Sequence, residues 1–69
     1  MTPEIFGDAL RKLRKALAMR QTELALVSGT GVRFISDLEN GKPTCELGKA
    51  LKVLESLGLD PVLEPRAQK

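Results

Sequence analysis

Arg33, Ser36, Asp37 and Asn40 stand at positions i, i+3, i+4 and i+7, so on a helix a guanidinium, a hydroxyl, a carboxylate and a carboxamide line one side. Phe34, Ile35 and Leu38 fall on the other. One face of such a helix packs while the other hydrogen-bonds to whatever rigid, patterned surface it meets, and the edges of stacked base pairs are such a surface. A guanidinium near the start of the helix can reach O6 and N7 of one guanine together, a contact worth about 1–3 kcal/mol of discrimination. Arg33 is therefore the first candidate for base reading. Ser36 lies one turn on and can donate or accept at base or phosphate, and Val32 offers an apolar contact to a thymine methyl. Asp37 is awkward on a face meant for a polyanion; it could accept from a cytosine amino group or repel wrong sequences, and it is given no role.

This helix, expected over Val32 to Asn40, needs a neighbour to aim it. The preceding stretch from Gln21 supplies one: Leu24, Ala25, Val27 and Ser28 share an apolar or small arc, and Gly29 follows where a left-handed residue would stop a helix. Gly31 is an acceptable cap for the second helix of the pair. Two helices this short are marginal alone, since isolated helices below about 12–15 residues hardly form in water. The flanking chain provides the rest. Thr2-Pro3-Glu4 is a helix start, and the helix is expected to run to about Ala18 with Phe6, Leu10, Leu13 and Leu17 inward and the basic residues from Arg11 to Lys15 outward. After Asn40, Gly41 takes a left-handed position and Thr44 caps a last helix with Glu46 in its first turn; Leu47, Ala50, Leu51, Val53, Leu54 and Leu57 form its apolar arc, and Gly58 ends it. Cys45, at the start of that helix, reads as a harmless small residue.

Several chemistries are excluded by what is missing. The 69 residues hold no histidine and one cysteine, which leaves no disulfide and no metal set of ordinary ligand spacing. No nucleophile has a base beside it and no glycine loop could cradle a phosphate chain, so the expectation is a non-enzyme without cofactor or metal. No apolar run approaches the roughly 20 residues that span a bilayer, nor is there a secretory leader, which points to a cytoplasmic protein that meets no membrane. Eleven basic against nine acidic residues is too mild a balance to argue for nucleic acid by itself, but Arg11, Lys12, Arg14, Lys15 and Arg20 cluster in the first helix and its exit. A core of this size is marginal, and a partner subunit is the remaining source of stability.

Gln21, Glu23, Leu24, Ala25, Gly29, Ile35, Ser36, Leu38, Glu39 and Gly41 match in order and spacing the helix-turn-helix of Xre/Cro-like bacterial and phage repressors. With the continuation FISDLENGKPT and a helix ending LESLGLD, the chain resembles HipB-type antitoxins, the DNA-binding partners of HipA-type kinase toxins, over nearly its whole length. The resemblance implies an all-α, lambda-repressor-like bundle of four to five helices over residues 1–60, and a tail, 61–69, in which Val62 and Leu63 belong to a strand paired across a homodimer. It also implies an ion pair between Arg14 and Glu39 that locks the reading helix to the first. Arg20 stands where the family usually has a capping threonine or serine; a guanidinium cannot cap, but it brings a cation to a helix N-terminus where a phosphate can dock. Gln21 would hold a phosphate oxygen with its amide and the first backbone N–H groups, and Asn40 and Lys42 would lie along a phosphate strand. Leu26 points away from its helix's buried arc, as a lone exposed leucine or part of a surface for a toxin or second subunit.

The function expected on these grounds is sequence-specific repression: a homodimer on an inverted-repeat operator, with reading helices about 34–36 Å apart, that also binds a HipA-like kinase toxin and represses the operon encoding both. The alternatives are a stand-alone Xre-type phage or bacterial regulator, and a protein-binding adaptor that has lost its DNA contacts. Salt separates the last, because phosphate contacts release counterions.

Overall fold

Helix boundaries in this chain are set by local chemistry at their ends. The Ile5 backbone N–H donates to Thr2 Oγ1 at 3.1 Å, Pro3 occupies the first helical position, and Glu4 puts a carboxylate in the first turn of α1, Pro3–Ala16. The computed structural model describes residues 1–43 and 46–60, which hold three more helices: α2, Gln21–Ser28; α3, Val32–Glu39; and α4, Leu47–Ser56. Among the described residues the fold is all-α. Gly29 closes α2 at φ 69°, with Thr30 N–H donating to Ala25 O at 3.0 Å. The same closure ends α1 without glycine: Met19 N–H reaches Arg14 O at 3.1 Å while Ala18 takes φ 57°. For that reason α1 stops at Ala16 rather than Ala18, and Leu17 is turned out to solvent.

The core is Leu10, Leu24, Ala25, Ile35, Leu38, Ala50, Val53 and Leu57, ringed by half-buried Phe6, Leu13, Met19, Phe34 and Leu54. Leu24, Ile35 and Val53 are fully buried and come one each from α2, α3 and α4, so each ties a different helix to the centre at about 1.5–3 kcal/mol. α2 packs on both α3 and α4, and α1 packs on α3. Two apolar arcs are narrower than their sequence suggests. Val27 of α2 and Leu47 and Leu51 of α4 are exposed, while Ala50, Val53 and Leu57 carry the buried side of the last helix and its cap. α4 begins at Leu47, with Glu46 in the capping position. Thr44 and Cys45, and the expected strand residues Val62 and Leu63 with the rest of the tail 61–69, lie outside the described residues.

Candidate DNA interface

α3 is held by its buried side. Ile35, Leu38 and Glu39 are buried, and this leaves Val32, Arg33 and Asn40 exposed and Ser36 and Asp37 half-buried along its outer edge. Its far end rests directly on α1 at Gly7. A Cβ there would lie 2.6 Å from the Glu39 carbonyl oxygen, so only a hydrogen lets the two backbones approach this closely. A glycine in the middle of a helix costs about 1 kcal/mol against alanine, which was the available signal that this one has a packing role.

Beside Gly7, one turn and two turns on, two guanidinium groups reach under α3. Arg14 Nε donates to Glu39 Oε2 at 2.6 Å and its Nη2 to Oε1 at 3.0 Å, a bidentate pair, while Nη1 donates to the Met19 carbonyl at 2.8 Å. Arg11 donates from Nη2 to the Glu39 carbonyl at 3.0 Å and to Asn40 Oδ1 at 3.2 Å, with Nε 3.6 Å from Glu39 Oε1. A cation against the last carbonyls of α3 is also well placed in the field of that helix. The basic side of α1 is therefore not simply outward. Arg14 is buried and Arg11 half-buried, Lys12 pairs with Asp8 at 3.1 Å, and Lys15 and Arg20 are exposed. Arginines three apart on the line of Gly7 were the signal for Arg11, but a surface position explains such a pattern equally well.

Gln21 sits differently from its expected phosphate-facing pose. Its Nε2 donates to Glu39 Oε1 at 3.1 Å, since the buried carboxylate still has lone pairs to satisfy beyond the Arg14 fork. Arg20 occupies the N-cap with no side-chain bond to the helix; its backbone N–H is taken by Glu23 Oε1 at 2.7 Å, so Glu23 makes its own half of a capping box while the half that needs an accepting N-cap side chain goes unmade. Asn40 bridges Arg11 and Ser36, with Nδ2 3.4 Å from Ser36 Oγ. Lys42 Nζ lies 3.5 Å from Asp37 Oδ2, an exposed pair worth at most about 1 kcal/mol that DNA phosphates can compete for.

Burial by itself would push the Glu39 carboxyl up, but hydrogen bonds from Arg14 and Gln21 and the charges of Arg14 and Arg11 outweigh it and hold the group below its usual range. Arg14, raised by its bond to Glu39, stays charged. The unfolded chain therefore binds the extra proton between the folded value of Glu39 and its unfolded value of about 4.3. The pair's contribution is complete above that window and is lost as pH falls through the folded value. Denaturant midpoints measured from pH 7 down to 3 should fall in the acid limb, and Glu39→Gln should flatten the part of that fall due to this residue; an unchanged acid limb in the variant would exclude the assignment.

A helix-turn-helix family model matches residues 10–63, which include the whole of α2, α3 and α4. The chain belongs to the helix-turn-helix family. The regulator is 54% identical over 57 residues to the "Uncharacterized HTH-type transcriptional regulator y4mF" of Sinorhizobium fredii (strain NBRC 101917 / NGR234), covering 83% of this chain and 75% of that one. It is also similar to a chain of the HipA–HipB–O2–O3 complex, with a TM-score of 0.87 and 28% identity over 97% of this regulator and 94% of that chain. A chain of the HipB–O4 20mer complex gives a TM-score of 0.86 over the same shares. In this fold α2 and α3 are the two helices of the motif and α3 is the one that carries the exposed polar line. No described helix of the regulator is long and apolar enough to cross a membrane.

Proposed function

We propose that this helix-turn-helix regulator is an operator-binding repressor that works as a homodimer, and that it is the antitoxin of a pair whose toxin is a HipA-like kinase. The observation that carries the reading is the line Val32, Arg33, Ser36 and Asn40 along the outside of α3, fixed there by a buried face of Ile35, Leu38 and Glu39. A line of groups on a rigid helix can enter a major groove without first being ordered, so little binding energy is lost to conformational entropy. Val32, Arg33 and Ser36 read bases, while Arg20, Gln21, Asn40 and Lys42 meet phosphates. Gln21 has a second amide hydrogen and its backbone N–H at the start of α2 for that purpose, although its carboxamide is tied to Glu39. Two-fold pairing of two copies then sets an inverted repeat about one duplex turn, roughly 34–36 Å, between half-sites. The antitoxin part is supported by the likeness to a chain of a HipA–HipB–O2–O3 complex. Co-expression with a HipA-like kinase encoded beside its gene, followed by co-purification and relief of kinase toxicity, tests that part; a kinase that neither binds nor is neutralised refutes it.

Arg33→Ala should lower affinity for the preferred duplex by about 1–3 kcal/mol and leave random DNA nearly unaffected. Gln21→Ala should weaken all duplexes alike. Fluorescence anisotropy on the two DNAs separates them, and equal losses from Arg33→Ala on both would refute its base-reading role. An adaptor without DNA contacts would show no fall of affinity with salt.

A further inference from the structure

Resting on the operator-binding reading, we infer that Arg11 is a positioning residue for the DNA-reading face: it fixes which way Asn40 and Ser36 present their hydrogen-bonding groups. The juxtaposition is Arg11 Nη2 at 3.2 Å from Asn40 Oδ1, with Asn40 Nδ2 3.4 Å from Ser36 Oγ. Arginine only donates, so the atom of the Asn40 carboxamide that faces it must be the oxygen. The nitrogen is thereby turned toward Ser36 and the outer edge of α3. Ser36 Oγ receives an amide hydrogen and keeps its own proton to give. Ser28 and Ser56 spend theirs on carbonyls of their own helices, at 2.7 and 2.9 Å, whereas the Ser36 hydroxyl has Asn40 as its side-chain partner. The outer edge is thus set to donate at both residues. Asn40 offers N–H to a phosphate oxygen, and Ser36, with one Oγ lone pair already taken by Asn40, offers O–H to a base acceptor such as purine N7, guanine O6 or thymine O4 in preference to accepting from the amino group of cytosine.

Arg11 itself is held in register. The same Nη2 that meets Asn40 also donates to the Glu39 carbonyl at 3.0 Å, and Nε lies 3.6 Å from Glu39 Oε1. Its guanidinium therefore cannot swing toward DNA without leaving the C-terminal end of α3. A lysine has the charge and could serve those two oxygens from its single nitrogen, but it has no second nitrogen to stand by Glu39 Oε1 and is held less firmly.

The test takes a duplex that the wild-type chain enriches from a randomised pool, and a random-sequence duplex of equal length, and titrates both with Arg11→Met, Arg11→Lys, Asn40→Ala and Arg11→Met/Asn40→Ala at several salt concentrations, with thermal melting alongside. Arg11→Met should lose about five- to tenfold on the enriched duplex and clearly less on random DNA, where only the Asn40 phosphate contact suffers, with the salt slope unchanged; Arg11→Lys should lose less than Arg11→Met on both. The double variant should lose no more than the worse single one, because both changes act through one carboxamide. Re-selection with Arg11→Met should raise the share of cytosine at one position where the wild type favours an acceptor. Equal losses on both DNAs with a salt slope shallower by about 0.9 would mean that Arg11 touches phosphate itself. Additive losses, or a lower melting temperature with selectivity intact, would reduce it to a cap on α3, and each of these overturns the inference. If the wild-type chain enriches no duplex at all, the operator reading fails first and this one with it; the two failures are distinct because the variant outcomes can be read only on a wild type that selects a duplex.

Discussion

Glu39→Ala should lower the stability of the chain by about 3–5 kcal/mol, because it leaves the Arg14 guanidinium buried without its carboxylate. A domain of 69 residues has only about 3–10 kcal/mol in all, so the variant should melt at least about 12 °C lower or be unfolded at room temperature. The loss arises from an orphaned charge and does not measure what the pair contributes. Replacing both partners by apolar groups, Arg14→Met/Glu39→Leu, should therefore recover most of it, since desolvating two ions cancels much of their attraction. Circular-dichroism melts of the three proteins decide the matter. A double variant as unstable as Glu39→Ala would mean that the pair itself, and not merely the avoidance of a lone buried charge, holds α3 to α1. Operator affinity of the double variant is a further readout: with the bidentate fork gone α3 keeps its packing but loses a fixed angle, so selectivity should fall more than stability.

The second large effect is expected at Gly7. Alanine is the better helix former by about 1 kcal/mol, which on propensity alone would stabilise α1. Its methyl would, however, sit 2.6 Å from the Glu39 carbonyl oxygen and 2.9 Å from the carbonyl carbon, and backbone atoms at the end of a packed helix cannot rotate away as a side chain can. Overpacking of this kind costs about 1–3 kcal/mol and here lies against backbone that cannot yield, so it outweighs the gain of about 1 kcal/mol in propensity and the net outcome of Gly7→Ala is a destabilisation of up to about 2 kcal/mol. The displacement should be felt furthest along the same seam, where Arg11 and Arg14 reach α3. Gly7→Ala is thus expected to lower both melting temperature and affinity for the preferred duplex, while Gly48→Ala, a helical glycine with nothing near its Cβ direction, should if anything raise the former. A more stable Gly7→Ala protein would show that α1 and α3 can separate freely, and would remove the reason given for the angle of α3.

Much of the molecule was legible in local pattern. The start of α1 at Thr2-Pro3, the stops at Gly29 and Gly41, and the two-sided character of α3 all depend on residues within one turn of each other, and the spacing of Ile35 and Leu38 against Arg33 and Ser36 needs nothing more than helical geometry. The pairing of Arg14 with Glu39 came from likeness to a family rather than from spacing, since no local rule links residues 25 apart. The Gln21 amide was expected on DNA; one of its hydrogens goes to Glu39, whose buried carboxylate has lone pairs left beyond the Arg14 fork, a partner 18 residues away that no local rule pointed to.

The order of the helices, then, the start of α1 and the stop of α2, and the division of α3 into a packing and a hydrogen-bonding side were determined by the sequence alone, because capping, left-handed closure and periodicity are energies of neighbouring residues; the end of α1 at Ala16 and the start of α4 at Leu47 were not. Which cations of α1 turn inward, why Gly7 must lack a side chain, why Val27, Leu47 and Leu51 stay in water, and how Asn40 orients its amide were decided only when α1, α2, α3 and α4 came together. Those are properties of contacts 28 or more residues apart in several cases, and the low dielectric and close packing that give such contacts their strength do not exist until the chain has folded.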